Sequence, residues 1–429
     1  MAKRILKIGL LGAGIIGKGV VDLYKRNIES INKKNDLVLV LERVADRDQS
    51  RLQALDLAAG NVTTDASQVL DDPDINIVIE LIGGLEPARS FITRALENGK
   101  YVITANKDLM ATHGQELLDL AREKNLNLFY EASVGGGIPL IRTLKHSLVA
   151  DRVKRLVGIV NGTTNYIFTR MDQGGLSRQE ALSEAQKLGF AEADPTNDVE
   201  GLDAAYKLVI MANLVFGKKA KLDQVYVQGI GGVTYEDIAY AREIGYTIKL
   251  LAIGEELPEG LALRVHPALV PLDHPLASVL NELNAVFVEA EAVREVMFYG
   301  PGAGAMPTAT AVLADVVEAA RCIRSKAENG MIEKPLAETD FVPIGDLQVR
   351  FYLRILAEDR PGVFAALANS FGDENVSLDM IIQKRRVGEL AEIVIITHKV
   401  KEEAFQRALK KISDFSAIKP DPSIIRLLE

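Results

Sequence analysis

Gly12-Ala13-Gly14-Ile15-Ile16-Gly17 follows directly on the apolar run Ile5 to Leu11 and opens a segment, Ile16 to Ile31, whose apolar residues recur at helical spacing. Three glycines so spaced between a strand and a helix restrict the fold more than any other feature of this chain. Gly12 permits the tight turn, Gly14 leaves room for a pyrophosphate to approach the backbone, and Gly17 lets helix and strand pack closely. The helix start then offers unpaired N–H groups and a partial positive charge to phosphates. Further strands are expected at Leu37 to Ala45, Ile75 to Leu81, Tyr101 to Thr104 and Asn127 to Glu131, with helical stretches between them. Such alternation predicts an α/β domain over residues 1–140, a Rossmann-like doubly wound parallel sheet that binds a dinucleotide.

From about Ile141 the pattern changes to a helix, a strand at Arg155 to Val160, and Ala-rich helices at Arg178 to Leu188 and Gly201 to Phe216. Strands follow at Leu261 to Val270 and Ala285 to Val288, giving an α+β domain over 141–300 that carries the substrate site. Asn329 to Phe341 reads as a linker. Beyond it the order is strand Arg350 to Leu356, helix Val363 to Phe371, strands Val376 to Gln383 and Glu392 to Thr397, helix Lys401 to Ile412 and a last strand. That βαββαβ order predicts a separate, ferredoxin-like domain over 348–429.

With 429 residues and 48% hydrophobic content, the chain can bury two or three cores. Its formal charge of −9 arises from 59 acidic and 50 basic residues spread along the sequence, which excludes the concentrated basic surface that nucleic acid needs. One cysteine, Cys322, allows no internal disulfide, and five scattered histidines form no cluster with zinc spacing, so a reducing cytoplasm is expected. The basic head Lys3-Arg4 and the apolar run behind it resemble a signal peptide only superficially, because Gly9, Gly12, Gly14 and Gly17 interrupt the run. No stretch reaches the roughly 18 apolar residues of a membrane span, and a soluble protein is expected.

The end of the second strand normally selects the cofactor: a carboxylate accepts from a ribose 2′-hydroxyl, whereas a 2′-phosphate requires arginine. Asp46 and Arg47 stand side by side here, with Arg43 nearby, and leave NAD and NADP both open. Reducing a carbonyl by hydride also requires a proton donor. His113, His146, His266, His274 and His398 lie apart from other polar candidates. Lys107, at the end of Thr104-Ala105-Asn106-Lys107, emerges at the carboxyl edge of the sheet, where ligands bind in this fold. Asp203 and Lys207 are four apart on one helical face, and the apolar continuation Leu208 to Ala212 implies that Lys207 is buried, a good proton-donor setting. Glu192, Asp194 and Asp198 form an acidic loop just before them. The glycine-rich segment from Glu131 to Pro139 is either a hinge or, through converging carbonyls and the Glu131 carboxylate, a site for a hard cation.

Taken together, GLLGAGIIG, TANK, YEASVGGGIPLI, NGTTNYI, AEADPTNDVEGLDAAYK and YGPGAGAMPTATAVLADVV resemble homoserine dehydrogenase, in the family's order and over essentially the whole chain. The C-terminal segment, with Asp359-Arg360-Pro361-Gly362-Val363 as its strand-to-helix loop, looks like an ACT domain, and the monofunctional form is expected. The resemblance implies reversible NAD(P)H-dependent conversion of L-aspartate 4-semialdehyde to L-homoserine, on the route to threonine, methionine and isoleucine. It gives proton transfer to Lys207 with Asp203, carbonyl orientation to Lys107, and substrate binding to Glu192, Asp198 and Asp203. Cofactor binding falls to Gly12, Ala13, Gly14, Ile15, Ile16, Gly17, Arg47, Thr104 and Lys107, joined by Gly302 and Gly304 on a return segment near 300–330. Glu131, Val134, Gly136 and Ile138 match a sodium site built mostly from backbone carbonyls. NADP(H) is favoured through Arg47, with NAD(H) use allowed by Asp46. A homodimer or homotetramer is implied, its middle domain serving dimerisation, with threonine as an effector at the ACT domain. Two rival readings are a semialdehyde dehydrogenase, which needs a nucleophilic cysteine where only Cys322 exists, and a non-catalytic sensor of nucleotide and amino acid.

Overall fold

A computed structural model describes residues 5–325, 335–419 and 422–429. Their packing divides the chain into two units, one drawn from Met1–Val153, Tyr206–Leu222 and Ala290–Glu338, the other from Lys154–Ala205, Asp223–Glu289 and Thr339–Glu429.

In the first unit, strands Ile5–Leu11, Val38–Ala45, Val62–Thr63, Ile75–Glu80, Tyr101–Thr104 and Leu128–Phe129 form one parallel sheet. Ile5–Leu11 is central, pairing with Val38–Ala45 on one side and Ile75–Glu80 on the other, so the order in which strands are added to the sheet switches sides at Ile5–Leu11. The strands are buried on both faces, as expected where helices cover a parallel sheet. Leu6, Ile8, Leu10, Ile77, Ile79 and Ile103 form the core with Val20 and Val21 of the helix Ile15–Asn35. The return segment completes it: the helix Ala305–Ser325 adds Ala309, Val312 and Val316 to the same core. A Cβ on Gly19 would lie 2.8 Å from the Ala305 carbonyl oxygen, so these two helices approach as closely as glycine allows. The end of the expected return segment, 326–330, lies outside the described residues.

Asn127 to Glu131 does not continue as a strand. Pairing stops at Phe129, and Glu131 enters a 3₁₀ turn, Glu131–Ser133, because its own groups are claimed elsewhere: its N–H donates to Asp315, and its carboxylate caps the N–H groups of Ile141 and Arg142. The helix expected after Ile141 is a short π-helical turn, Thr143–Ser147.

In the second unit, a mixed sheet is built around the antiparallel hairpin Tyr246–Leu257 and Gly260–Pro271. The first strand of that hairpin has no distinct sequence signal, because Ile248 to Gly254 is buried on both faces and lacks the alternation that marks a half-buried strand. Val153–Ile159 pairs with the hairpin's first strand. The C-terminal strands Phe351–Glu358, Leu390–Thr397 and Leu378–Val387 have the expected βαββαβ order. They do not form a detached sheet, however. The last strand, Ser423–Leu427, pairs with Phe351–Glu358 on one side and with Gly260–Pro271 on the other, so one ladder runs from the middle of the chain into its C-terminal part. Stacked Phe351 and Phe405 sit in the core between that sheet and the helices Val363–Gly372 and Glu402–Ser413. The expected linker, 329–341, lies in part outside the described residues; where described, Ala337 bonds to Gly217 and Lys219, and Asp340 to Leu261.

Candidate active site

The glycine turn opens a cavity of about 550 Å³ in the first unit, with Gly12, Gly14, Asp46, Arg47, Arg51 and Ser67 in its lining. Gly12 has φ +99°, a left-handed conformation that L side chains rarely adopt, and a Cβ on it would lie 2.6 Å from the Leu81 carbonyl oxygen. A Cβ on Gly17 would lie 2.0 Å from the Gly12 oxygen, which explains why this position carries no side chain. Among the described residues only Arg51 comes within 4 Å of a Cβ placed on Gly14, so that face is open to a ligand. Gly14 caps the helix without a side-chain partner, and no acidic residue occupies the first turn, so the N–H groups there keep their partial positive charge for an anionic ligand. These are the requirements of a dinucleotide pyrophosphate, and the residues present meet them.

Asp46 has a structural task that the sequence did not reveal. Its Oδ2 accepts from the Ala13 N–H at 2.7 Å and its Oδ1 from the Asp48 N–H at 2.9 Å, so both oxygens brace the turn. Arg47 is exposed beside it, and Arg51 reaches to 3.9 Å from Asp46. Two guanidiniums therefore line the cavity where the second strand ends.

Beside the cavity a second network holds the strand ends. Glu80, fully buried, accepts from the Thr104 hydroxyl at 2.7 Å and from the Ile82 N–H at 2.7 Å; burial pushes its carboxyl above the ordinary range. Thr104 accepts from the Asn106 N–H, and Asn106 both donates to the Gly84 carbonyl and caps the helix Lys107–Glu123. Thr104, expected as a cofactor contact, thus has its hydroxyl engaged within the protein, and Lys107 emerges half-buried as the first residue of the helix that Asn106 caps.

Gly304 has φ +117°, and Gly302 is buried with its carbonyl toward Gly136, whose Cβ would lie 2.5 Å from it. The Gly137 N–H donates to the Pro301 carbonyl at 3.0 Å. Return turn and glycine-rich segment are therefore packed backbone on backbone. Val134, Gly136 and Ile138 are buried, and among the described residues no hydrogen bond ends on their carbonyl oxygens. The Glu131 carboxylate, by contrast, is engaged by two N–H groups, one on each oxygen.

In the second unit the Asn161 side chain joins two of the expected carboxylates. Its Nδ2 donates to Asp198 at 2.6 Å and Asp203 at 2.9 Å, while its Oδ1 accepts from the Thr164 N–H as the cap of the helix Gly162–Gly174. The Thr163 hydroxyl adds a 2.9 Å bond to Asp198. Neither Asn161 nor Thr163 was expected as an organiser; the signal available was an Asn before Gly-Thr-Thr at a helix start. Asp203 and Lys207 both lie on the helix Leu202–Phe216, with 8% and 9% of their surface exposed. Glu192 stands exposed on its loop, where its main-chain carbonyl accepts from Gln186. Cys322 sits half-buried on Ala305–Ser325, and burial pushes its thiol up, the reverse of what a nucleophile needs.

Family models match over residues 139–317 (homoserine dehydrogenase), 12–131 (its NAD binding domain) and 351–416 (ACT domain). The homoserine dehydrogenase of Bacillus subtilis is 42% identical, over 99% of this chain and 98% of that protein. A crystal structure of a homoserine dehydrogenase from Thiobacillus denitrificans superposes with a TM-score of 0.94 at 40% identity, covering 100% of this chain and 99% of that one. A hyperthermophilic archaeal homoserine dehydrogenase in complex with NADPH has a TM-score of 0.62 at 25% identity, covering 76% of this chain and 99% of its own.

Proposed function

The chain belongs to the homoserine dehydrogenase family, and from that premise we propose how its own residues carry out the reversible NAD(P)-dependent conversion of L-aspartate 4-semialdehyde to L-homoserine. The observation that carries the assignment is the buried Lys207, one turn from the buried Asp203 whose carboxylate Asn161 holds. When bound, the reduced nicotinamide supplies the hydride. Lys207 then delivers a proton to the nascent alkoxide, and takes it back in the oxidative direction. Lys107 orients the carbonyl oxygen and favours the charge that grows on it. Asp198, Asp203 and the exposed Glu192 receive the substrate's ammonium and hydroxyl ends. Replacing Lys207 by Ala tests this: cofactor binding stays, while turnover falls by about 10²–10⁴. Turnover near wild type would move the proton donor to Lys107.

NADP(H) is the preferred cofactor in this reading. Arg47 and Arg51 meet the 2′-phosphate, and Asp46, with both oxygens bracing the turn, is less available to a ribose hydroxyl than a free carboxylate. A sodium ion fits the buried carbonyls of Val134, Gly136 and Ile138 with the main-chain oxygen of Glu131; there it would fix the segment between the two glycine turns without taking part in chemistry. The ACT domain serves feedback control by threonine, in a cytoplasmic homodimer or homotetramer. Among the described residues, no helix is long and apolar enough to cross a membrane.

A further inference from the structure

A second built cavity lies within the second unit, where the last strand joins Gly260–Pro271 to the C-terminal sheet. It measures about 90 Å³, and Arg155, Arg264, His266, Lys399 and Arg426 line it against Glu255 and Glu429. Arg264, only 5% exposed, donates from Nη2 to Glu255 at 3.0 Å, yet its Nε and Nη1 find no partner among the described residues. The Nε of Arg155 is likewise buried without a partner, although its Nη1 reaches the main-chain oxygen of Glu429. Arg426 differs: Glu402, Gln228 and Tyr226 take its donors. Buried guanidinium donors without acceptors are rare and costly in native proteins, and three of them bound one small cavity here.

His266, 2% exposed, adds the complementary half. Burial first, then the guanidiniums of Arg426, Arg264 and Arg155, hold its imidazole far below the usual range, so it is neutral. Its Nδ1 lies 2.9 Å from the Pro267 carbonyl and therefore carries the proton. Nε2 is then an acceptor, and it too has no partner among the described residues. The orphaned set is thus three cationic donors and one neutral acceptor. A simple carboxylate satisfies only the donors; an oxyanion with a hydrogen-bond donor of its own satisfies both. A larger groove of about 450 Å³ shares Arg264, Gln348 and Lys399 with this cavity and adds Leu257, Phe341 and Val342, apolar surface for an organic body.

We propose that this seam is a binding site for a small organic oxyanion carrying its own hydrogen-bond donor, a 2-hydroxy acid or a singly protonated phosphate monoester. Arg264 and Arg155 take the oxyanion, His266 accepts the donor, and the groove receives the remainder. Because Arg264 belongs to the middle of the chain while Gln348 and Lys399 belong to its C-terminal part, a ligand here clasps the two sides of the seam.

The test is thermal unfolding of the full chain, saturated with NADPH so that the glycine turn is occupied. L-lactate or inorganic phosphate is titrated in, against sodium chloride at equal ionic strength. The expected result is a saturable rise in Tm of at least about 2 °C with one anion or both. It should be absent in Arg264→Gln and in Arg155→Gln, with homoserine-dependent activity retained in each variant. A response to phosphate alone assigns a phosphoryl group, and one to lactate a hydroxy acid. Should Arg264→Gln fail to fold, Arg155→Gln carries the comparison. No anion-specific rise in the wild type, or an equal rise in the variants, overturns the proposal.

Discussion

Replacing Asn161 by Ala removes four side-chain hydrogen bonds at once, and three of them set the magnitude. Its two donations, at 2.6 and 2.9 Å, go to the carboxylates of Asp198 and Asp203, and hydrogen bonds to charged groups contribute about 1.5–3 kcal/mol each. The helix cap on Thr164, at 2.9 Å, adds about 1 kcal/mol. The three share one side chain and do not add fully, so the expected loss is about 3–5 kcal/mol. The carboxylates left behind repel each other without their bridge, and the proposed substrate pocket loses its shape. The chain has no tryptophan, so unfolding in urea is best followed by far-ultraviolet circular dichroism, alongside steady-state kinetics. KM for homoserine should rise at least about tenfold, while the dissociation constant for NADPH, measured by its fluorescence, stays within about twofold. A loss below about 1 kcal/mol together with an unchanged homoserine KM would refute the reasoning.

Arg47→Ala should lower the preference for NADP over NAD by about tenfold or more, the value of one charge-assisted contact, read from kcat/KM with each cofactor. Asp315 tests a pH effect: burial and then the neighbouring Glu131 carboxylate push its carboxyl up to about 7, despite the opposing Arg142. A carboxyl that holds its proton more tightly when folded adds stability at low pH and loses it as pH rises from the ordinary carboxylate range to about 7, so Asp315→Asn should flatten that part of the stability profile. An unchanged slope in the variant would remove Asp315 from the account. Sodium, compared with tetramethylammonium at equal ionic strength, should raise the Tm, whereas equal values would leave the Val134–Ile138 carbonyls without their proposed ion.

What the sequence disclosed was local. The strand, turn and helix around Gly12 are written within a dozen positions, and the chemistry of glycine and of a helix start determines their use. Asp203 and Lys207 were legible for the same reason, being one helical turn apart. The organising groups were not, because their roles come from distant partners. Asn161 reaches residues 37 and 42 positions away, and Glu80 is a lone carboxylate ending an apolar strand whose partner, Thr104, lies 24 positions on. Asp46 read as a cofactor discriminator and serves first as a brace for Ala13, 33 positions before it. The pairing of the last strand with Gly260–Pro271 likewise has no local signal, so the C-terminal segment read as a detached domain.

The central claim is that this chain moves a hydride between homoserine and a nicotinamide. Homoserine carrying two deuteriums at its carbinol carbon, incubated with the purified protein and NADP⁺, measures that transfer directly by mass spectrometry of the reduced cofactor. The account predicts one deuterium in each molecule of NADPH formed. Reduced cofactor without the label, or none at any pH with either nicotinamide, would contradict it.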